Sequence, residues 1–266
     1  RPKSSAASDV YKRQTIHIHA NVLDHGVDLL IDGIDNVPYN QLLKFNESMM
    51  KTNVIRLNRS KLNQHNDLLF VKENTNLSNN NYSSTIFPPP GSFLQATVDG
   101  ENAIIETVIK GLEKINKKKL VCELFSGCGT ITLPLLLRGF KINAYEINTQ
   151  SVEAVSFASK TQGHGNKVNS QSRNLKNNPL TSEELNKFNA IIIDPPRSGA
   201  KSQFLNIAHS KVPIIISISC NINTFVRDAS LLIENNYKLK WVQPIDQFLF
   251  THHVEVVGLF ELNLVH

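Results

Sequence analysis

The sequence predicts an α/β protein: a largely parallel sheet with helices on both faces, preceded by a small α+β portion. Three observations carry this. From Leu120 onward, strand-like apolar runs alternate with helical ones, the pattern of a sheet built from strand–helix–strand units. A Gly-x-Gly turn, Gly127-Cys128-Gly129, stands between the first of these strands and the first helix. The β-branched run from Ile214 ends abruptly in Ser219-Cys220-Asn221 and a polar turn, which sets one thiol at the carboxyl end of a strand. Ligands bind at the carboxyl ends of strands in open α/β sheets, so Cys220 is a candidate nucleophile. A buried, inert cysteine is the plain alternative.

The 266 residues are enough for one large domain or a domain with an appendage. The three cysteines, Cys122, Cys128 and Cys220, are an odd number without C-x-x-C spacing. That pattern argues against a disulfide framework, a zinc site or an iron–sulfur cluster on this chain, and it fits a reducing cytoplasm. No apolar run reaches the roughly 20 residues that span a bilayer, and the start has no apolar stretch of signal-peptide type.

Residues 1–14 (RPKSSAASDVYKRQ) have no periodicity, resemble a translated sequencing-adapter segment and are expected to lie outside the native fold. Their four cations against Asp9 account for +3 of the net charge of +5, leaving +2 for the rest, so net charge gives no strongly basic nucleic-acid footprint. Residues 15–85 read as a small α+β portion, with strands at Thr15 to His19, Val27 to Ile31, Asn53 to Leu57 and Leu68 to Lys72 around a helix from Gln41 to Met50. No catalytic constellation falls in them. Asn74 to Ser84 is a polar connector of low complexity, which places a boundary before a second domain over residues 86–266.

That domain opens on a proline-rich extended segment, Ile86 to Gln95, leading into a helix from Asp99 to Ile115. Gln95 alone reads as a surface amide. After the lysine-rich turn Asn116 to Lys119 come strands at Leu120 to Leu124, Lys141 to Glu146, Ala190 to Ile193 and Ile214 to Ile218. Helices are expected at Ile131 to Leu137, Ser151 to Ser159, Gln203 to His209 and Thr224 to Asn235, with two last strands at Lys238 to Gln243 and Val254 to Phe260.

The chemistry-bearing positions lie at the strand ends. The glycines of Glu123 to Thr130 let backbone approach a ligand where a helix start offers free N–H groups, although a merely tight turn explains them as well. Glu146 ends the second strand about 20 residues later, where such folds hold the ribose hydroxyls of a nucleoside. Asp194-Pro195-Pro196-Arg197 follows Ile193; the prolines project the Asp194 carboxylate into the crevice, or Asp194 is a turn residue. Glu255 alone reads as a solvated edge residue.

In this order the motifs resemble the RNA uridine-5-methyltransferase family, whose members methylate 23S ribosomal RNA or transfer RNA. The resemblance rests on Gln95 in FLQAT, Phe125 and Thr130 in LFSGCGT, Glu146 in YEIN, Asn174 in RNL, DPPR at Asp194, SCN at Cys220 and HVE ending at Glu255. It runs from Ile86 to Leu262, and more weakly back to Thr15. It implies a Rossmann-like class I methyltransferase sheet with an antiparallel last strand. It further implies S-adenosylmethionine as methyl donor, with Gln95, Phe125, Thr130, Glu146, Asn174 and Asp194 at its pocket or at the neighbouring uracil. Cys220 is then the nucleophile and Glu255 the base.

The implied partner is RNA, ribosomal RNA ahead of transfer RNA, with no membrane and no iron–sulfur cluster. Family members usually begin with a small RNA-binding barrel, some with cluster-binding cysteines; neither is found, so an amino-terminally truncated member is expected. Enzymes methylating exocyclic amines usually follow Asp-Pro-Pro with an aromatic residue, and here Arg197 follows. Cytosine-5 enzymes place a thiol in Pro-Cys or at the Asp-Pro-Pro level, where Pro195 and Pro196 leave none. The competing expectation is a catalytically silent RNA- or cofactor-binding fragment.

Overall fold

A computed structural model describes residues 16–32, 39–60, 67–248, 250–251 and 253–263. Thr15 and His252 lie outside the described residues, as does the segment 1–14. The chain divides into two compact units, Arg1–Leu77 and Ser78–His266. Among the described residues no helix is long and apolar enough to cross a membrane.

In the first unit β1 (His17–Leu23) and β2 (Gly26–Asp32) form an antiparallel hairpin. After α1 (Tyr39–Met49), β3 (Val54–Arg59) joins β2 in parallel, and β4 (Asp67–Val71) pairs antiparallel with β3, giving the order β1-β2-β3-β4. Asp28 and Arg56, on neighbouring strands, form a two-pronged buried ion pair with Nε to Oδ1 and Nη2 to Oδ2 both at 2.7 Å. A planar guanidinium matches a carboxylate in this geometry, so neither desolvated charge is left uncompensated.

The second unit begins earlier than the connector suggests. β5 (Asn79–Asn81) and β6 (Ser84–Ile86) form a short antiparallel pair inside and just after the asparagine-rich stretch. Asn81 is buried, and its Nδ2 donates to the Thr130 carbonyl at 3.3 Å. Residues 78–85 therefore belong with the second unit and support its glycine loop, where composition alone reads as solvated linker.

The main sheet holds β7 (Leu120–Leu124), β8 (Lys141–Glu146), β9 (Val168–Ser172), β10 (Ala190–Ile193), β11 (Ile214–Ser219), β12 (Tyr237–Ile245) and β13 (Glu255–Leu262). Their order is β12-β13-β11-β10-β7-β8-β9. All neighbouring pairs from β9 to β11 are parallel, whereas β13 runs against both β11 and β12. The chain winds outward from β7 to β8 and β9, then returns to lay β10 on the other side of β7, so the switch in direction falls between β7 and β10.

Alternation along the strands sorts two cores. Val121, Ile142, Ile192, Ile216 and Val257 pack with α2 (Val98–Gly111), α3 (Thr132–Leu137) and α4 (Thr149–Thr161). Leu124, Tyr145, Ile191, Ile215 and Phe260 pack with α5 (Ser182–Leu185), α6 (Lys201–Ala208) and α7 (Ile222–Glu234). A strand buried on both faces needs apolar residues at both parities, which explains the uninterrupted isoleucine runs of β10 and β11.

Two expectations shift. The helix expected to Ile115 ends at Gly111, after which Leu112 to Ile115 continue in turns. β9 (VNSQS) and the four-residue α5 are missed by apolar periodicity: β9 is a polar edge strand, and α5 is held by a capping box between Thr181 and Glu184.

Phe260 is fully buried on β13, with its ring centroid 6.3 Å from that of Phe225 on α7. Phe260→Ala is expected to lower the stability of the second unit by about 3–5 kcal/mol through the cavity it leaves, measurable by urea denaturation.

Candidate active site

Three strand ends meet at the carboxyl edge of the sheet. The registers pair Ile193 with Ser217 and Ser219 with Val256. One rung further, Cys220 faces Glu255, because an antiparallel strand begins where its parallel neighbours end. Asp194 follows β10 with the parity of Ile192, on the face that also holds Glu123 of β7. Glu123, Asp194, Cys220 and Glu255 thus converge from four strands, and Asp194 is near enough to raise Glu123, and Glu255 to raise Asp194.

The crevice is rich in acids. Burial pushes Glu255 up to about 7, offset in part by a hydrogen bond from Gln247. Asp194 is pushed up to about 7 by enclosure of its carboxyl and by Glu255. Glu123 is raised to about 8, chiefly by burial, although Thr132 Oγ1 donates to its Oε2 at 2.6 Å. The Cys220 thiol is half-buried and raised by desolvation and then by Glu255 and Asp194, with Arg197 acting in the opposite sense. Reactive thiols usually sit in electropositive surroundings. This one sits beside carboxyls, and the counter-charge comes from Arg197.

The DPPR loop is fastened to the start of α7. Asn221 caps that helix, with Oδ1 accepting from Asn223 N and Thr224 N, and its Nδ2 donates to the Arg197 carbonyl at 3.3 Å. Thr224 Oγ1 donates to the same carbonyl, Arg227 Nη2 donates to the Ser198 carbonyl, and Asp228 Oδ2 accepts from Ala200 N at 3.1 Å. Gly199 is required inside this clasp: its φ is +74°, and a Cβ there would lie 2.2 Å from Arg227 Nη2. The stretch that carries Cys220 therefore also fixes the loop that carries Asp194.

On the other side of the switch point, the loop after β7 holds Phe125 at φ +63°, Gly127 at +53° and Gly129 at +94°. A left-handed Phe is a strained conformation, tolerated here because the ring packs against the second core. Glu146, at the end of β8, accepts from Gly127 N at 3.1 Å through Oε2 and from Asn148 N at 2.9 Å through Oε1. Its carboxylate so ties the glycine loop to the start of α4.

The remaining expected residues are more dispersed. Thr130 ends the glycine loop with its carbonyl held by Asn81. Asn174 follows β9, and its Oδ1 accepts from Lys176 N and Asn177 N in a local turn. Gln95 precedes α2 and is joined to the acid cluster through Gln247, which donates to Gln95 Oε1 at 2.8 Å and to Glu255 Oε2 at 3.3 Å.

Glu101 and Gln247 carry no sequence signal of their own. Glu123 is embedded in an apolar strand, and a lone carboxylate at a core position is the cue that could have found it. Glu101, buried in the first turn of α2, is raised to about 7 by desolvation and acts on Cys128 in the glycine loop.

The family model described as tRNA (uracil-5-)-methyltransferase matches residues 36–262. The chain belongs to the tRNA (uracil-5-)-methyltransferase family. An uncharacterised RNA methyltransferase of Mesorhizobium japonicum is 39% identical over 179 residues, which is 67% of this chain and 42% of that protein. One from Fusobacterium nucleatum is 30% identical over 271 residues, covering 94% of this chain and 56% of the relative. The chain thus spans about half the length of the curated relatives it matches.

Among solved structures, a Pyrococcus abyssi tRNA (uracil-54, C5)-methyltransferase in complex with S-adenosyl-L-homocysteine superposes with a TM-score of 0.69 at 18% identity, over 91% of this chain and 59% of that one. The Methanocaldococcus jannaschii tRNA m1G37 methyltransferase gives 0.58 at 15% identity, over 92% and 72%. The fold of this tRNA (uracil-5-)-methyltransferase family member is accordingly the class I methyltransferase sheet, mostly parallel with an antiparallel last strand.

The buried acids fix a pH response. Glu101, Glu123, Asp194 and Glu255 keep their protons up to about 7, 8, 7 and 7 in the folded state, above their ordinary values of 4.5, or 3.8 for Asp194. Across that interval the folded chain binds more protons than the unfolded one, so these groups favour folding at the acidic end and lose that contribution as pH rises. Denaturation at about pH 5.5 and about pH 8 is expected to give lower stability at the higher pH, with a smaller decline in Glu123→Gln.

Proposed function

We propose that the chain catalyses S-adenosylmethionine-dependent methylation of carbon 5 of a uridine in RNA, with ribosomal RNA the first substrate to test and transfer RNA the second. The observation that supports this reading is the register of Ser219 with Val256, which leaves Cys220 and Glu255 as the next residues, with Glu255 and Asp194 both acting on the Cys220 thiol. A thiol and a carboxyl at one position meet the two demands of this substitution: electron density must enter the ring at carbon 6, and a proton must leave carbon 5.

The cofactor pocket fits the same reading. A glycine loop at the switch point, with left-handed residues that bring its N–H groups forward and a carboxylate ending the next strand, is the donor and acceptor set that a nucleoside needs. Glu146 uses one acceptor site on each oxygen for Gly127 N and Asn148 N, and a carboxylate has about four, so two remain for ribose hydroxyls. Gln95, Phe125, Thr130, Asn174 and Asp194 complete the proposed pocket. S-adenosylmethionine supplies, when bound, a methyl group activated for nucleophilic attack by its positive sulfur.

The Cys220 thiolate adds to carbon 6 of the uracil, forming an S–C6 bond and moving the ring's electron pair to carbon 5. Carbon 5 would then take the methyl group from the sulfonium, whose S–CH3 bond breaks to leave S-adenosylhomocysteine. Glu255 in its ionised form removes the proton from carbon 5, the C5–C6 double bond returns, and the S–C6 bond breaks to release the thiolate. Asp194 accepts from the ring N3–H and holds the base, and Arg197 favours the thiolate. A stacked base cannot present carbon 6 to this thiol, so the target uridine is single-stranded or flipped from its stack.

Calorimetry with S-adenosylhomocysteine should find affinity reduced roughly 10- to 100-fold in Glu146→Ala, the equivalent of about 1.5–3 kcal/mol for charged hydrogen bonds. Undiminished affinity would remove Glu146 from the pocket.

In single-turnover reactions with uridine-containing RNA, Cys220→Ser is expected to abolish methyl transfer and the covalent adduct with 5-fluorouridine RNA. Glu255→Gln should still form the adduct while releasing product at least about 100-fold more slowly, the usual scale of general base catalysis. Adduct formation by Cys220→Ser would overturn the mechanism. Cofactor binding without transfer in the unmodified protein would favour the silent-fragment reading.

A further inference from the structure

Gln247 lies in the bend between β12 and β13, only 4% exposed, and its amide is placed between two parts of the site that share no strand. One hydrogen of Nε2 goes to Gln95 Oε1 at 2.8 Å and the other to Glu255 Oε2 at 3.3 Å. Nε2 is the end of the amide turned to both acceptors, and it is the end that favours the ionised form of Glu255. The opposite end pays for this: among the described residues Gln247 Oε1 has no hydrogen-bond partner, buried over Gly100 in the first turn of α2. An orphaned acceptor weakens a fold, so this amide is held at a cost that its two donated hydrogen bonds must offset. A donor kept under that handicap, touching the proposed base and a proposed cofactor residue, has a use in the site.

We propose that Gln247 is a positioning residue that joins Gln95 and Glu255 into one bonded unit, so that the ionisation of the base answers to what occupies the cofactor side of the crevice. The inference rests on the assignment of Glu255 and Gln95 given above and extends it to a residue outside the motifs. Donation from Gln247 stabilises the ionised form of Glu255, the form that accepts the carbon-5 proton. The groups opposing that form are Asp194 at the end of β10 and the Cys220 thiolate at the end of β11, with Arg197 acting on Cys220 as the nearby cation. When a ligand engages Gln95, the hydrogen bond shared between Gln95 and Gln247 changes, and the bond to Glu255 changes with it. Neither step requires a strand to move.

The test reads the carboxyl of Glu255 directly, by carbon-13 NMR titration of glutamate-labelled protein with the signal assigned through Glu255→Gln, with and without S-adenosylhomocysteine. In Gln247→Met the titration should move upward by about one pH unit, and release of product at pH 7 should slow on the order of fivefold and recover above about pH 8.5. Gln247→Glu, which replaces the donor by an acid, should move it further in the same direction. S-adenosylhomocysteine should shift the Glu255 titration in the unmodified protein and leave it unchanged in Gln247→Met. Thermal unfolding of Gln247→Met should remain one cooperative transition, lowered by no more than the loss of these two hydrogen bonds, which separates positioning from structural damage.

A Glu255 titration identical in the unmodified protein and Gln247→Met would overturn the proposal. A response to S-adenosylhomocysteine that survives in Gln247→Met, or is absent from the unmodified protein, would overturn it too. Failure of the unmodified protein to methylate any uridine would count against the uracil reading alone, since the titration is measured without RNA.

Discussion

The direction of β13 governs the rest of the site. Six of the seven strands, β12 among them, deliver their carboxyl ends to one edge, and a seventh running the same way would bring only another loop there. Because β13 enters between β11 and β12 in the opposite sense, its first residue, Glu255, arrives at that edge on a strand buried on both faces. A base on a loop would need its own supports; this one inherits the rigidity of a ladder whose partners are fixed rung by rung.

The same arrangement explains the concentration of acids. Each of Glu123, Asp194 and Glu255 sits on or at the end of a central strand, and the parity that turns apolar neighbours into the core turns these carboxyls toward the α2–α4 face. Desolvation then holds them protonated far into the neutral range, which limits how many negative charges share the crevice at once. Glu255 raises Asp194 further, so ionisation of one disfavours ionisation of the other.

Much of this is legible in the chain order, and the exceptions have physical reasons. β7, β10 and β11 announce themselves as apolar runs because both faces are buried, β8 by alternation, and their terminal polar residues stand out against that background. Cys220, Asp194 and Glu146 are visible for that reason, and the registers now bring Cys220 and Glu255 to adjoining positions. β9 is invisible because edge strands need no apolar stripe, and β5 because asparagines that bond backbone look like asparagines that bond water. Glu101 and Gln247 acquire meaning only from neighbours distant in sequence: Gln247 is 152 positions from Gln95.

The two open edges of the sheet bear on its colloidal behaviour. At one margin β9 is five residues long and built from valine, asparagine, serine and glutamine. At the other, β12 carries Lys238 and Lys240, an irregularity between Leu239 and Trp241, and Pro244, which has no amide proton to offer. Short, charged, kinked or proline-bearing margins are poor templates for an added strand. A sheet whose centre is almost pure isoleucine is thereby guarded against edge-to-edge fibrillar growth, and the polarity that hides β9 from hydrophobic pattern is part of that protection.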